Sequence, residues 1–472
     1  MIFFVFVFSL RVVFINDLHG HYENLPGLVR IIKEYRTENS LLLNGADEFT
    51  GTSLFRYYGG NKSIEIINEL KYDAMTLGNH EFDKGSVYLA NYLKQLKIPI
   101  VSSNVVSLKE MSLNTIIKPY IIKNDIGIIG STTPDTKFQS PTKDVDFLPF
   151  IEMIQKYVNE LNSKGIKKII LLSHNGFLDD KEIAKNTTGV SVIVGAHSHS
   201  LLSNNESYAD DKIEGVFPTI INNVYIVQAK CYGKYVGYFD LEFVNNVVSS
   251  FKGDTVRVDP NNVDRQWQLR LEEWNKPVDL LYNSTISYSS VEYRLDCWKK
   301  SCALNALIAN AMVNYYLSRR KDWSIPTFAL IQTGAVRVPF NIGNITIGNV
   351  YDALPFDDKI NAVVIRGSKI LSAVKDSLAG RRGDEKVTGY VVVSRHAQLV
   401  LENGLLKQMK VLHNSKWIIL QPHHYYRVVS SSFVLSGGDN IFPKFSSFND
   451  GLEYISDATI AVFKKFKDIS EI

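Results

Sequence analysis

The stretch Val13-Phe14-Ile15-Asn16-Asp17-Leu18-His19-Gly20-His21 ends an apolar run in a carboxylate and, two residues on, an imidazole. Residues i and i+2 of an extended chain face the same way. Gly20 lets the backbone bend, so both groups can reach one borderline cation such as zinc or manganese. One such pair occurs by chance, and a single histidine more often has a structural role. Here the grammar repeats. Leu41-Leu42-Leu43 runs into Asn44-Gly45-Ala46-Asp47, and Asp73 to Leu77 into Gly78-Asn79-His80-Glu81-Phe82-Asp83. Lys168 to Leu172 runs into Ser173-His174-Asn175, and Val190 to Val194 into Gly195-Ala196-His197-Ser198-His199. Together, Asp17, His19, Asp47, Asn79, His174, His197 and His199 have the composition of a dinuclear nitrogen/oxygen centre, with Asp47 suited to bridge two ions. The lack of cysteine among them argues against a closed structural zinc site. Two ions roughly 3.5–4 Å apart clamp the attacking and leaving oxygens of an in-line phosphoryl displacement and lower the pKa of water toward about 7.

Groups at the carboxyl ends of successive strands need a scaffold that brings those ends together. Five short apolar strands alternate with helical patterns, such as Tyr22 to Tyr35 (Leu25, Leu28, Val29 and Ile32 at helical intervals) and Ser63 to Leu70. That alternation predicts an α/β layered domain. The chain has 472 residues, too long for one ordinary core, so two domains are expected. Hydrophobic residues at 45% and charged residues at 21% describe a soluble globular protein. With 52 basic and 49 acidic side chains the formal net charge is +3, which gives no argument for nucleic acid or an anionic membrane as partner. Three cysteines are too few for a disulfide scaffold; Cys297 and Cys302 are close enough to pair in a local loop, leaving Cys231 over.

Met1 to Leu10 is almost wholly apolar but too short to span a bilayer. It reads either as the end of a secretory signal peptide, though without a basic n-region, or as a buried first strand continuous with Arg11 to Ile15. Sequons at Asn61, Asn186, Asn205, Asn283 and Asn344 favour export to an extracellular, glycosylating route. Tyr454 to Ile472 reads as a polar-ended helix, with no small-residue site and apolar tail of the kind that encodes a lipid anchor.

The order D-x-H, Asp47 after glycine, G-N-H-E-F-D, a lone histidine and G-x-H-x-H resembles the calcineurin-like metallophosphoesterases. Leu77-Gly-Asn-His-Glu-Phe-Asp83 and Ala46-Asp47-x-x-x-Gly51-Thr52 resemble one branch most, the animal 5′-nucleotidase and salivary apyrase family. The resemblance implies a four-layer αββα metallophosphoesterase domain over residues 1–260. A linker helix at 261–276 would carry Trp267, Leu271 and Trp274, and an α/β nucleotide-binding domain would follow at 277–472. It implies two divalent ions, zinc foremost with manganese, magnesium or calcium as alternatives. One would be held by Asp17, His19, Asp47 and His199, the other by Asp47, Asn79, His174 and His197. His80 and Asp83 resemble the family's catalytic dyad: His80 can donate to a phosphoryl oxygen as charge builds, with Asp83 orienting it.

In the second half, Cys297-x4-Cys302 matches a small disulfide loop of the animal branch. Leu304 to Tyr316 resembles the helix G-N-L-I-x-D-A-M, with Asn305, Ala306 and Asn310 at substituted positions. Leu330 to Arg337 resembles the turn N-G-G-G-I-R but reads Gln332-Thr333-Gly334-Ala335-Val336-Arg337. Ile345 to Phe356 fits I-T-x-x-x-V-x-x-x-L-P-F, and Phe433 to Phe442 resembles F-x-x-x-G-G-D-G-F, with Asn440 and Ile441 replacing the last Gly and leaving Phe442 one place late. The resemblance makes Arg337 a phosphate contact, Phe356 and Phe433 the two rings around a base, and Asp439 a ribose contact, with Gln332 beside them. The glycines lost before Arg337 are expected to place extra side chains near the phosphates.

The function these readings imply is a secreted, divalent-metal-dependent nucleotide phosphohydrolase using metal-activated water, either an apyrase on ATP and ADP or a 5′-nucleotidase on AMP. Adenine nucleotides are the expected substrates. Alternatives are a catalytically weak nucleotide scavenger and a phosphoesterase for UDP-sugars or cyclic nucleotides. Oligomeric state is not encoded in any motif.

Overall fold

The computed structural model describes residues 7–140, 142, 144–208, 211–295, 302–320, 324–356, 358–383, 385–387, 389–445 and 452–472. Cys297 lies outside them, so the Cys297–Cys302 pairing does too; Cys231 is free and buried. The chain divides into two compact units, Met1–Val278 and Asp279–Ile472.

The first unit holds two sheets. In one, the strands run in the order Val247–Arg257, Tyr235–Val244, Val7–Ile15, Leu41–Asn44, Ala74–Met75, Ile100–Val101 and Ile117–Lys118. Val7–Ile15 and Leu41–Asn44 are parallel with Ile15 opposite Asn44, and Ala74–Met75 continues the parallel set. In the other, the parallel centre is Val224–Val227, Val192–Val194, Lys168–His174 and Ile126–Thr132. Leu10, Val12 and Phe14 of the first sheet share one core with Ile128, Ile170, Leu172, Val192 and Val194 of the second. The first sheet contributes every other residue of its strands to this inner layer of the αββα sandwich, whereas the parallel strands of the second are apolar throughout, as in Ile169 to Leu172. The amphipathic helix Phe150–Ser163 sends Ile154, Val158 and Leu161 onto the same core.

Of the apolar opening run, Val7 to Leu10 is strand, paired antiparallel with Leu241 to Val244. The continuous-strand reading therefore applies to those residues.

The second unit centres on a four-stranded mixed sheet: Ile360–Arg366, Tyr425–Ser431, Thr327–Gln332 and Val391–Val393. Its strands alternate between two cores. Ala329, Ile331 and Val429 face a cluster with the helix Ala303–Arg319. Phe328, Leu330 and Val428 face another with the helix Gly367–Ala379.

Several boundaries differ from the sequence pattern. The helical segment Tyr22 to Tyr35 is a 3₁₀ turn, Tyr22–Asn24, followed by an α-helix Leu25–Tyr35 with Pro26 in its first turn; proline lacks an N–H where none is needed. A helix runs from Arg265 to Tyr282 with Pro277 inside it. The C-terminal helix is short, Ile455–Phe463. Beyond it the backbone of Lys467 accepts the Tyr288 N–H and Asp468 caps a 3₁₀ turn at Ile469–Glu471. Pairing with the strand Thr285–Ser289 thus replaces the last helical turns.

Candidate metal centre

Every residue of the predicted ligand set lies at or just past the carboxyl end of a parallel strand. Asp17 and His19 follow Val7–Ile15, Asp47 follows Leu41–Asn44, and Asn79 follows Ala74–Met75. His174 ends Lys168–His174, and His197 and His199 follow Val192–Val194. Because these strands are neighbours in two facing sheets, their ends converge, as the carboxyl ends of open α/β sheets do. The residues are unusual in backbone as well as position. Asp17, His19, Asp47, His197 and His199 are in the left-handed region, with φ of 52°, 49°, 54°, 76° and 55°. Each such non-glycine residue costs on the order of 1–2 kcal/mol, and surrounding hydrogen bonds must hold it there. Gly78 cannot be replaced cheaply: a Cβ there would lie 2.0 Å from Asp47 Oδ1.

Two groups of side chains offer nitrogen or oxygen atoms within 4.8 Å of one another: Asp17, His19 and His199, and Asp47, His174 and His197. His19, Asp47 and His80 form a third such group. Asp47 Oδ2 is 3.6 Å from His19 Nε2 and 3.1 Å from His174 Nε2, so this one oxygen faces both main groups. Asp17 Oδ1 lies 3.6 Å from His199 Nε2 and 3.9 Å from His174 Nε2.

The hydrogen bonds behind these atoms fix which atom faces inward. His19 Nδ1 lies 3.1 Å from the Phe49 carbonyl and His174 Nδ1 lies 2.7 Å from the Gly45 carbonyl. Donation there leaves each Nε2 as the free lone pair. Asp17 accepts from Asn16 Nδ2 at 2.7 Å and from the His197 N–H at 3.0 and 3.1 Å. Asn79 Oδ1 is buried with no hydrogen-bond partner, and the equally buried His174 Nε2 has only Asp47 Oδ2 before it. Orphaned atoms of that kind are costly unless something binds them, and an amide oxygen with imidazole nitrogens and carboxylates is a suitable donor set for a divalent cation.

Electrostatics divides the cluster into two kinds of group. Burial pushes the Asp17 carboxyl up to about 7. Burial also holds His19, His197 and His199 down to about 4, so these imidazoles are neutral, the form that ligates. Burial would lower His174, but the Asp47 and Asp17 carboxylates raise it to about 10.

His80 and Asp83 are paired: His80 Nδ1 is 2.8 Å from Asp83 Oδ2. Burial works to lower His80, and the Asp83 hydrogen bond with the charge of Asp47 raises it to about 9. The His80 backbone N–H donates to Asp47 Oδ1 at 3.0 Å, tying the pair to the centre.

Four contributors were not legible as such in the sequence. Ser140 donates to Asp83 Oδ1 at 2.7 Å, extending the pair to a chain of three. Glu81, fully buried, accepts the N–H groups of Asp47, Glu48 and Gly78 and so binds the loops that carry Asp47 and Asn79 together. Tyr232 sits edge-on to His19 and His199, with centroid distances of 5.7 and 5.3 Å. Asp180 accepts from Ser173 Oγ at 2.5 Å directly behind His174. Only Glu81 carried a sequence signal, its place between His80 and Asp83.

In the second unit Arg337 is exposed, its guanidinium 5.1 Å over the Phe356 ring. Phe356 and Phe433 are 48% and 47% exposed, unusual for phenylalanine. Asp439 follows Gly438 in the left-handed region at φ 55°. The Phe433 ring packs on Gly438, where a Cβ would lie 2.5 Å from it. Gln332 is buried, with Oε1 unpartnered. Thr333 and Ala335, the side chains that replace glycines in the turn before Arg337, are buried at 6% exposure. Asn305 Nδ2 holds the turn through the Gln332 and Thr333 carbonyls.

The sandwich and its cluster of carboxylates and imidazoles define a metal-dependent phosphohydrolase. The calcineurin-like phosphoesterase family matches residues 10–201, and the 5′-nucleotidase C-terminal domain family matches residues 284–447. An apyrase of Aedes albopictus is 33% identical over 435 residues, covering 82% of this chain and 75% of that protein. A 5′-nucleotidase of Bos taurus is 32% identical over 435 residues, covering 84% and 75%. The crystal structure of a 5′-nucleotidase precursor from Thermus thermophilus superposes with a TM-score of 0.69 at 28% identity, over 98% of this chain and 97% of that one. The chain belongs to the apyrase and 5′-nucleotidase family of calcineurin-like phosphoesterases, whose members carry a dinuclear divalent-metal centre.

Proposed function

We propose that the chain releases phosphate from extracellular adenine nucleotides, as an apyrase on ATP and ADP or as a 5′-nucleotidase on AMP. The observation that carries the reading is Asp47, one carboxylate oxygen turned to two separate groups of neutral or carboxylate-paired imidazoles. Asp17, His19, Asp47 and His199 would hold one ion, and Asp47, Asn79, His174 and His197 the other, with zinc foremost. Two such ions supply Lewis-acid activation of the phosphoryl group and of the attacking water. The chain's own part is to place a proton. His80, held by Asp83 and Ser140, would donate to a phosphoryl oxygen as negative charge accumulates there.

Arg337 would engage phosphate, Phe356 and Phe433 the base, and Asp439 the ribose. Two half-exposed rings beside an exposed guanidinium support that assignment. Secretion is supported by the sequons: Asn61, Asn186, Asn205, Asn283 and Asn344 are all exposed, as glycan acceptors must be. No helix among the described residues is long and apolar enough to cross a membrane.

Phosphate release from AMP, ADP, ATP and UDP-glucose, each with and without EDTA, tests the reading. EDTA-sensitive release from the adenine nucleotides is expected. Release from UDP-glucose alone, or binding without release, would replace it by a sugar-nucleotide phosphoesterase or a nucleotide scavenger.

A further inference from the structure

Phe356 and Phe433 reach the surface from different segments of the second unit. Phe356 follows the helix Ile347–Ala353; Phe433 lies in the short turn Ser432–Leu435 after the strand Tyr425–Ser431. Main-chain pairing joins the two segments at Ile360 and Ser431, and one side chain carries the link on to Phe433 itself. Asp358, two residues beyond Phe356, accepts the Phe433 backbone N–H on Oδ1 at 3.0 Å. The Ser432 N–H beside it goes to the Lys359 carbonyl at 3.0 Å. The main chain of Asp358 is anchored in turn. Its carbonyl accepts the Ile455 N–H at 2.9 Å, and Ile360 exchanges backbone hydrogen bonds with Leu452 and Glu453. Gly438 backs the Phe433 ring from below, and the Arg337 guanidinium lies over Phe356.

Capping of the short turn does not account for this carboxylate. Ser431 already caps it, its hydroxyl oxygen accepting the Val434 N–H at 3.1 Å. Burying a further carboxyl for the same purpose is unfavourable, and burial here does push its pKa up, to about 6. What the second acceptor adds is a tie to the Phe433 N–H itself, one residue beyond the Ser432–Lys359 backbone bond, which fixes the backbone of Phe433 relative to the segment bearing Phe356. Ring–base attraction is a sum of short-range contacts that weakens steeply when a gap opens, so that distance matters to any planar ligand held between the rings.

We propose that Asp358 is a positioning residue that sets the spacing of Phe356 and Phe433 and thereby the affinity for the nucleobase. The inference rests on reading the two rings as the base-binding platform.

The test uses the full chain and the best-turned-over nucleotide among AMP, ADP and ATP. Asp358→Ala should raise KM about tenfold while kcat stays within about threefold, the pattern for lost binding shared by ground and transition states. Asp358→Asn keeps an oxygen for the Phe433 N–H and should restore KM to within about threefold of the parent. Adding Asp358→Ala to Phe433→Ala should raise KM no further than Phe433→Ala alone, because residues acting through one contact are not additive. A normal KM in Asp358→Ala beside a raised KM in Phe433→Ala would overturn the positioning role alone. So would full additivity, or a fall in kcat and melting temperature with KM unchanged. A normal KM in Phe433→Ala would overturn the base-platform reading, and the positioning role with it.

Discussion

A carboxylate shared by two ions and a carboxylate serving one differ in what their removal does. Asp47 Oδ2 faces His19 and His174 at 3.6 and 3.1 Å, so Asp47→Ala should empty both sites. His19→Ala should mainly empty the one it shares with Asp17 and His199. Metal analysis of purified variants reads this directly, and full two-ion content in the Asp47 variant would rule out the bridging role. His80 sits next to Asn79 yet turns its Nδ1 to Asp83. His80→Ala should therefore leave metal content unchanged and lower kcat by roughly 10²–10⁴, the range for a positioned acid–base group. Steady-state rates with metal content measured on the same preparation decide it. At this scale the sequence was most legible, because D-x-H, G-N-H-E-F-D and G-x-H-x-H print the clustered carboxylates and imidazoles beside their turns. Ser140 and Tyr232 were not legible. Each reaches the centre from a distant stretch through a fold that no local pattern encodes.

Elements hold the centre by what they bury. The helix Phe177–Asn186 presses Asp180 against Ser173, next to His174, with Oδ2 buried and unpartnered. Burial pushes this carboxyl up to about 8, against the hydrogen bond from Ser173. In the unfolded chain it titrates near about 3.9. Below that value both states hold the proton and no penalty exists. As pH rises toward 8 the unfolded state ionises first, so stability falls, at most on the order of 1 kcal/mol per pH unit from this group. Asp180→Asn carries no such proton, and its melting temperature relative to the parent should rise more at pH 8 than at pH 5. An equal difference at both pH values would show that Asp180 is not held protonated. Helix and strand order followed from apolar periodicity, as with Leu25, Leu28, Val29 and Ile32 on one face of Leu25–Tyr35. Ends did not: the C-terminal helix stops at Phe463 because Lys467 and Asp468 are taken by the strand Thr285–Ser289 and its neighbours, a long-range pairing. The burial of Thr333 and Ala335 was equally hidden, since the turn that carries them is held by Asn305, nearly thirty residues earlier in the chain.

At the scale of the whole chain, the groups expected to do chemistry and those expected to choose the substrate belong to different units. Asp17 to His199 lie within Met1–Val278, and Arg337, Phe356, Phe433 and Asp439 within Asp279–Ile472. The division should appear in the kinetics. Stacking on a ring acts on the base, far from phosphorus, and is worth roughly 1–3 kcal/mol per base on comparable platforms. It stabilises ground and transition states alike, so losing it raises KM with little change in kcat. Phe356→Ala and Phe433→Ala should each raise KM for adenine nucleotides by about 5- to 150-fold, the range that stacking energy spans. Neither should alter turnover of p-nitrophenyl phosphate, which has a phosphate for the metals but no nucleobase. His80→Ala should do the converse, lowering kcat on both substrates. If the ring variants instead slow p-nitrophenyl phosphate as much as the nucleotide, the rings support the catalytic unit's structure and the division of labour is wrong.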